Sequence, residues 1–172
     1  KLRPLNLVEQ RRPSNITPLL IDLDFKYETT TSLVRRFNLE NIKTFIRNIT
    51  QIITEFINLG DLQVLRFFVP LRPTPYEDKR PSAKIIKDGV HIECPALPLQ
   101  ATIQQVIRHI ALNEEILEDA FVGCNHINKS ADIYDESLVK KNGWFLYGEG
   151  KPDLPPYHLD LVYCYNIEEG RW

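Results

Sequence analysis

Two aspartates one residue apart, Asp22 and Asp24, interrupt the apolar run at residues 18–25 (PLLIDLDF). On an extended strand, residues i and i+2 point to the same side, roughly 6–7 Å apart. Leu23 would then enter a core while both carboxylates face one cavity. Like charges at that spacing repel, and burying them is costly unless a cation sits between them. Hard divalent ions that take oxygen ligands, Mg²⁺ or Mn²⁺, suit such a pair. The competing reading is a polar strand end turned to water.

A second group is Lys87-Asp88-Gly89-Val90-His91. Asp-Gly between two strand-like runs is a signal for a two-residue hairpin, which would put Lys87 and His91 on opposite faces. If the chain instead runs on extended, Lys87, Gly89 and His91 share a face, with Val90 and Ile92 turned to the core. An ammonium, a bare backbone amide and an imidazole in a row would cradle a triphosphate. A third group is Asp135, followed by the strand-like residues 144–147 that run into Gly148-Glu149-Gly150-Lys151. That turn could bring amides and one ammonium to a phosphate, although it lacks the GxxxxGK[ST] spacing of a P-loop. An ordinary surface turn is the alternative.

The elements that must carry these groups alternate along the chain. From Asn38 the apolar residues Ile42, Phe45, Ile46, Ile49, Ile52, Ile53, Phe56 and Ile57 follow the spacing of an amphipathic helix, which Gly60 ends. Residues 62–69 (LQVLRFFV) read as a buried strand closed by Pro70, and the four prolines of 70–81 predict an irregular loop or arm. Residues 82–95 hold strand material on both sides of Asp88-Gly89. Residues 100–120 predict a second helix with Ile103, Val106, Ile107, Ile110, Ile116 and Leu117 on its apolar face. Residues 144–147 and 159–165 are two further strands. This alternation predicts an α/β (α+β) domain, a mixed sheet with two helices packed on one face.

Composition narrows the function. The chain has 172 residues, 43% hydrophobic and 26% charged, as in an ordinary globular domain. It has no apolar run of the ~18 residues that span a bilayer. Twenty-one basic residues oppose 23 acidic ones, a net charge of -2, so a polyanion site has to be local. Residues 66–87 carry six basic residues against Glu77 and Asp78, whereas residues 113–136 carry seven acidic residues against Lys129. Adjacent patches of opposite sign are what a site for metal and phosphate requires, or else two solvated faces. Cys94, Cys124 and Cys164 are odd in number and far apart, which fits neither a disulfide framework nor a zinc signature. His91-Ile92-Glu93 lacks the later Pro-Cys-x-x-Cys of zinc deaminases. Three sequons, at Asn15, Asn48 and Asn128, stand without a signal sequence, so an intracellular, reducing compartment is expected. With no methionine, the chain is expected to be a piece of a longer one.

Taken together and in this order, the three groups resemble the motifs of the archaeo-eukaryotic primase superfamily, especially the primase domain of the primase–helicases of nucleocytoplasmic large DNA viruses. Leu20-Ile21-Asp22-Leu23-Asp24-Phe25 looks like the first motif, Lys87-Asp88-Gly89-Val90-His91-Ile92 like the second, and Asp135-Glu136-Ser137-Leu138-Val139 like the third. Leu146-Tyr147-Gly148-Glu149-Gly150-Lys151 looks like the basic turn that follows. The resemblance runs from about residue 19 to 165 and implies one primase catalytic domain over 1–172, cut from a longer primase–helicase chain. It also implies that Asp22, Asp24 and Asp135 hold two Mg²⁺ or Mn²⁺ ions for nucleotidyl transfer, and that Lys87, Gly89, His91 and Lys151 contact the incoming nucleotide's triphosphate. It favours the extended reading of 87–91 over the hairpin. The expected partners are a single-stranded DNA template, nucleoside triphosphates and a helicase domain in the same chain; no membrane is expected, and in a virus the compartment would be host cytoplasm or nucleus. Two departures stand out: Glu149 where many relatives have serine, and Phe145-Leu146 where cellular primase-polymerases have an arginine. Template contacts are expected in the basic 66–87 region and at Tyr76. A metal-dependent nuclease on the same carboxylates, and a catalytically silent nucleic-acid-binding domain, are the rival readings.

Overall fold

The computed structural model describes residues 8–9, 16–29, 32–78, 85–137, 144–145, 148, 150–151 and 153–172. Its centre is an antiparallel sheet in the order β2-β5-β3-β7, formed by Ile16–Glu28 (β2), Ile85–Gln100 (β5), Val64–Leu71 (β3) and His158–Asn166 (β7). The short strand Tyr76–Glu77 (β4) pairs with Lys87 and Ile86. Because β2 covers one edge of β5 from end to end, β4 continues the edge that β3 leaves. A separate ribbon joins Val8–Glu9 (β1) to Trp144–Phe145 (β6).

The period of two decides which face is which. Leu19, Ile21, Leu23, Phe25 and Tyr27 of β2 are buried, as are Val90, Ile92 and Cys94 of β5 and Leu65, Phe67, Val69 and Leu71 of β3. The helices form one continuous core with that face. The first helix, Leu39–Phe56 (α1), starts at Asn38, whose side chain accepts the N–H groups of Glu40 and Asn41 while the Asn41 side chain accepts the Asn38 N–H. This reciprocal cap satisfies three otherwise unpaired donors. The helix ends at Phe56, short of Gly60, and buries Ile42, Phe45, Ile46, Ile49, Ile52 and Ile53 as the periodicity predicts, whereas Phe56, expected on the same stripe, is 62% exposed. Among the described residues no helix is long and apolar enough to cross a membrane.

β5 runs through Asp88-Gly89 as one 16-residue strand, the extended reading that the resemblance favours. Three expectations are corrected. β2 is 13 residues long, so the aspartates sit mid-strand rather than at an end. β3 does not stop at Pro70: the missing N–H is accommodated by a register shift between Val69 and Pro70 against β7. The helix expected over 100–120 is two, Ala101–Asn113 (α2) and Ile116–Ala120 (α3), broken where Glu115 adopts a left-handed backbone. Its apolar face is also rotated. Ile103 is 39% and Val106 52% exposed, while Ala101, Gln104, Ile107 and Ala111 are buried.

Gln104 takes an inward position because of β2. Pro18 interrupts the β2–β5 ladder, which shifts register between Pro18 and Leu19. The Gln104 amide fills the gap: its Oε1 accepts the Leu20 N–H at 3.3 Å, and its Nε2 donates to the carbonyls of Pro18 and Thr17 and to the Thr17 hydroxyl. Buried main-chain groups left over by a bulge need such a partner.

Candidate metal and nucleotide site

The β2–β5 register builds the site. Asp22 lies opposite His91, Asp24 opposite Gly89 and Lys26 opposite Lys87, so the first two motifs meet as neighbouring pairs on the sheet face away from the main core. Leu23 and Val90, between them, point the other way and are fully buried.

Asp135 arrives from the free edge of β2. The one-turn helix Ser130–Ile133 (α4) precedes it, Tyr134 bridges to Leu23, and the Asp135 N–H donates to the Asp22 carbonyl at 2.9 Å. Its carboxylate is aimed by Ser137, whose N–H donates to Oδ1 at 2.8 Å and whose hydroxyl donates to Oδ2 at 2.6 Å. Arg108 of α2 fixes the approach by donating to the carbonyls of Tyr134 and Ala131 at 2.7 and 2.6 Å. Asn128 completes the edge, accepting the Lys26 N–H and donating to the Asp24 carbonyl.

Oxygens of Asp22, Asp24 and Asp135 thus come within 4.8 Å of one another. Burial, then the charges of Asp24 and Asp135, push the Asp22 carboxyl well above its usual range; Lys151 and Arg72 oppose the shift. Asp24 is raised mainly by burial, against the pull of Lys151. Asp22 Oδ1 is buried without a hydrogen-bond partner. An orphaned, partly desolvated carboxylate oxygen among two others fits a hard divalent cation, and an acidic triad of this kind can hold a metal.

The β5 side of the cleft is cationic and aromatic. His91, 5% exposed, stacks on Tyr157 with ring centroids 3.8 Å apart, and its Nε2 lies 3.4 Å from Asp22 Oδ1. Desolvation, helped by Arg72 and Lys151, lowers the His91 pKa to about 3, so the ring is neutral. Lys151 is exposed, with its charge felt by Asp22 and Asp24. Lys87 is engaged by Asp78 at 2.9 Å. The Gly89 N–H donates to Asp88 Oδ1 at 3.0 Å, so what Gly89 offers the cleft is room: a Cβ there would stand 3.3 Å from Asp24 Oδ1.

Residues 1–163 match the family model described as "C962R protein N-terminal AEP domain", that is, an archaeo-eukaryotic primase domain. The chain belongs to this primase family. It is also similar to a protein of Acanthamoeba polyphaga mimivirus described as "Putative helicase L207/L206", with 25% identity over 146 residues. That alignment covers 83% of this primase domain and 14% of the mimivirus protein, so the chain spans only a small part of that relative's length.

All seven site residues expected in the primase domain, Asp22, Asp24, Asp135, Lys87, Gly89, His91 and Lys151, fall among the described residues. The β2–β5 register and the carboxylate triad bring Asp22, Asp24, Asp135, Lys87, Gly89 and His91 together, and the charge of Lys151 acts on Asp22 and Asp24. Of the two departures, Glu149 and the Leu146 half of Phe145-Leu146 lie outside the described residues, as do Lys79, Arg80 and Lys84 of the basic stretch, whereas Phe145 pairs with Val8 in the β1–β6 ribbon. Four contributors were missed. Ser137 and Arg108 hold Asp135, and an Asp-x-Ser spacing was the one available hint. Tyr157 and Arg72 line the cleft, and nothing local separates them from any loop tyrosine or arginine. Arg72, counted with the basic surface, is in fact buried at 2% exposure.

Proposed function

We propose that this domain synthesises primers on single-stranded DNA by nucleotidyl transfer, as the primase part of a viral primase–helicase. The observation that carries the reading is the convergence of Asp22, Asp24 and Asp135, from two distant stretches of chain, across from His91 and Lys151.

The three carboxylates would hold two divalent ions, Mg²⁺ or Mn²⁺, which when bound neutralise charge on the attacking and leaving oxygens. The rest falls to the chain. Neutral His91, fixed by Tyr157, presents an uncharged imidazole beside Asp22, and Lys151 and Lys87 balance the triphosphate. Gly89 leaves space for Asp24 to reach the nucleotide side. A polar cavity of about 550 Å³ beside the triad, lined by Asp24, Lys26, Arg108, Asp132, Asp135 and Glu136, would admit the strand end that supplies the 3′-hydroxyl. In-line displacement puts nucleophile and leaving group on opposite sides of the reacting phosphorus, which matches a nucleotide on the β5 side and a strand end on the α4 side. Positioning and charge supply the rate, so no side-chain nucleophile is needed.

The test is incubation with a single-stranded DNA template, nucleoside triphosphates and Mn²⁺, followed by sizing of labelled products. Extension that Asp22→Ala or Asp135→Ala reduces by at least roughly a hundredfold, with the melting curve preserved, is expected. Shortened template would support a nuclease. Template binding with neither product nor Mn²⁺ uptake would support a silent binding domain.

A further inference from the structure

Arg72 is a buried cation that the constellation above does not use. It follows β3 at the corner leading to β4, is 2% exposed, and its Nη1 is buried with no hydrogen-bond partner. Among the described residues no carboxylate pairs with it. Taking a guanidinium out of water without an anion is costly, and such a group persists when something else compensates it.

Its surroundings hold the charge without neutralising it. The guanidinium carbon sits 4.3 Å from the centroid of Tyr157 and 5.2 Å from that of Tyr76. Aromatic faces attract a cation through its plane; the guanidinium also donates a side-chain hydrogen bond to Tyr157, which leaves Nη1 as its unpartnered atom. The main chain is fixed as well. Arg35 Nη2 donates to the Arg72 carbonyl at 2.7 Å, and Arg35 is itself clamped on Asp88 by two bonds of 2.8 and 2.9 Å. Tyr157 in turn stacks on His91. The charge of Arg72 lowers the pKa values of Asp22, Asp24 and His91 alike, which places it on the same cleft. The Lys87 ammonium, by contrast, already has a carboxylate.

We propose that Arg72 is a phosphate-binding residue of this cleft, taking a phosphoryl oxygen of a bound nucleoside triphosphate through its unpartnered Nη1. The ligand's chemistry follows from the site: a polyanion whose charge also attracts the cations held by the triad. The proposal rests on the nucleotidyl-transfer reading for the identity of its ligand. Binding of a bare polyphosphate does not depend on that reading.

Inorganic triphosphate is therefore titrated into the chain without divalent ion, by calorimetry, for wild type, Arg72→Met and Arg72→Lys. Arg72→Met keeps a long apolar stem between the two tyrosines and is expected to weaken triphosphate binding by roughly tenfold or more. Arg72→Lys restores charge without the planar fork and should recover only part of it. Mn²⁺ binding is expected to survive in both, and Arg72→Met without anion should melt no lower than wild type, because it removes an uncompensated buried charge. Triphosphate affinity unchanged in Arg72→Met overturns the proposal, as does a wild type that binds no triphosphate. A lower melting temperature with Mn²⁺ binding lost alongside would mark Arg72 as a framework residue only. Primer extension by wild type, with Arg72→Met binding triphosphate normally, sinks this proposal alone. Arg72-dependent triphosphate binding without extension sinks the nucleotidyl-transfer reading alone.

Discussion

A Cβ built on Gly89 would meet both Asp24 Oδ1 and the Leu23 carbonyl at 3.3 Å, and the Tyr157 hydroxyl at 3.8 Å. Contacts that tight force a neighbour to move, and the neighbour free to move is the Asp24 side chain. Gly89→Ala is therefore expected to leave the sheet intact and to weaken Mn²⁺ affinity by roughly 10–100-fold, the usual effect of disturbing a ligand's support. Calorimetric Mn²⁺ titration with a parallel melting curve checks it; unchanged affinity would show that Asp24 is not a ligand in that rotamer. The sequence offered Gly89 as an amide for phosphate, but its N–H is turned to Asp88. An i to i−1 side-chain bond of this kind leaves no mark on residue spacing. Asp88 was equally illegible. It read as half of a turn, whereas it faces the core side of β5 and anchors Arg35.

At the scale of elements, the strands could be read and the joints could not. The alternation in β2 and the 3.6-residue period of α1 are local properties, and both hold in the structure. The apolar stripe of α2 misled because Gln104 had to face inward to serve the β2 bulge, a tertiary demand no helical pattern encodes. The continuity of β5 through Asp88-Gly89 is likewise set by partners on both edges. Arg108 shows how such joints serve the site: from α2 it grips the carbonyls on either side of Ile133 and so delivers Asp135. Arg108→Ala should raise the Mn²⁺ concentration needed for half-maximal extension by roughly tenfold, while Arg108→Lys recovers part of the loss. A change in maximal rate at saturating Mn²⁺, with no change in Mn²⁺ requirement, would contradict this role.

For the molecule as a whole, the cleft opposes the fold. Asp22 and Asp24 hold protons in the folded chain that the unfolded chain releases above about pH 4, so stability falls as pH rises from there through their raised range. His91 acts in the other direction. With its folded pKa at about 3, the unfolded chain takes up a proton below about pH 6.5 that the folded chain refuses, and stability falls as pH drops through that window. Mn²⁺ should relieve the first penalty, since its ligands must be deprotonated to bind. Thermal unfolding is expected to show a larger Mn²⁺-induced rise at pH 7.5 than at pH 5. Asp22→Asn should raise the metal-free melting temperature at pH 7.5, by roughly 2–4 °C for each kcal/mol relieved, and diminish the Mn²⁺ increment. A larger increment at pH 5 would mean the ion binds elsewhere.

The alternation Asp22-Leu23-Asp24 against Gly89-Val90-His91 carries one more implication. Ladder bonds that seat Leu23 and Val90 in the hydrophobic interior are the same ones that set the cleft's residues opposite each other. Losing or gaining a single residue in the middle of either strand would turn the constellation inside out, with carboxylates sent among the phenylalanines and leucine turned into the cleft. Length variation in this lineage should therefore gather in the connections and the strand tips, and spare the central rungs where β2 and β5 cross the cleft.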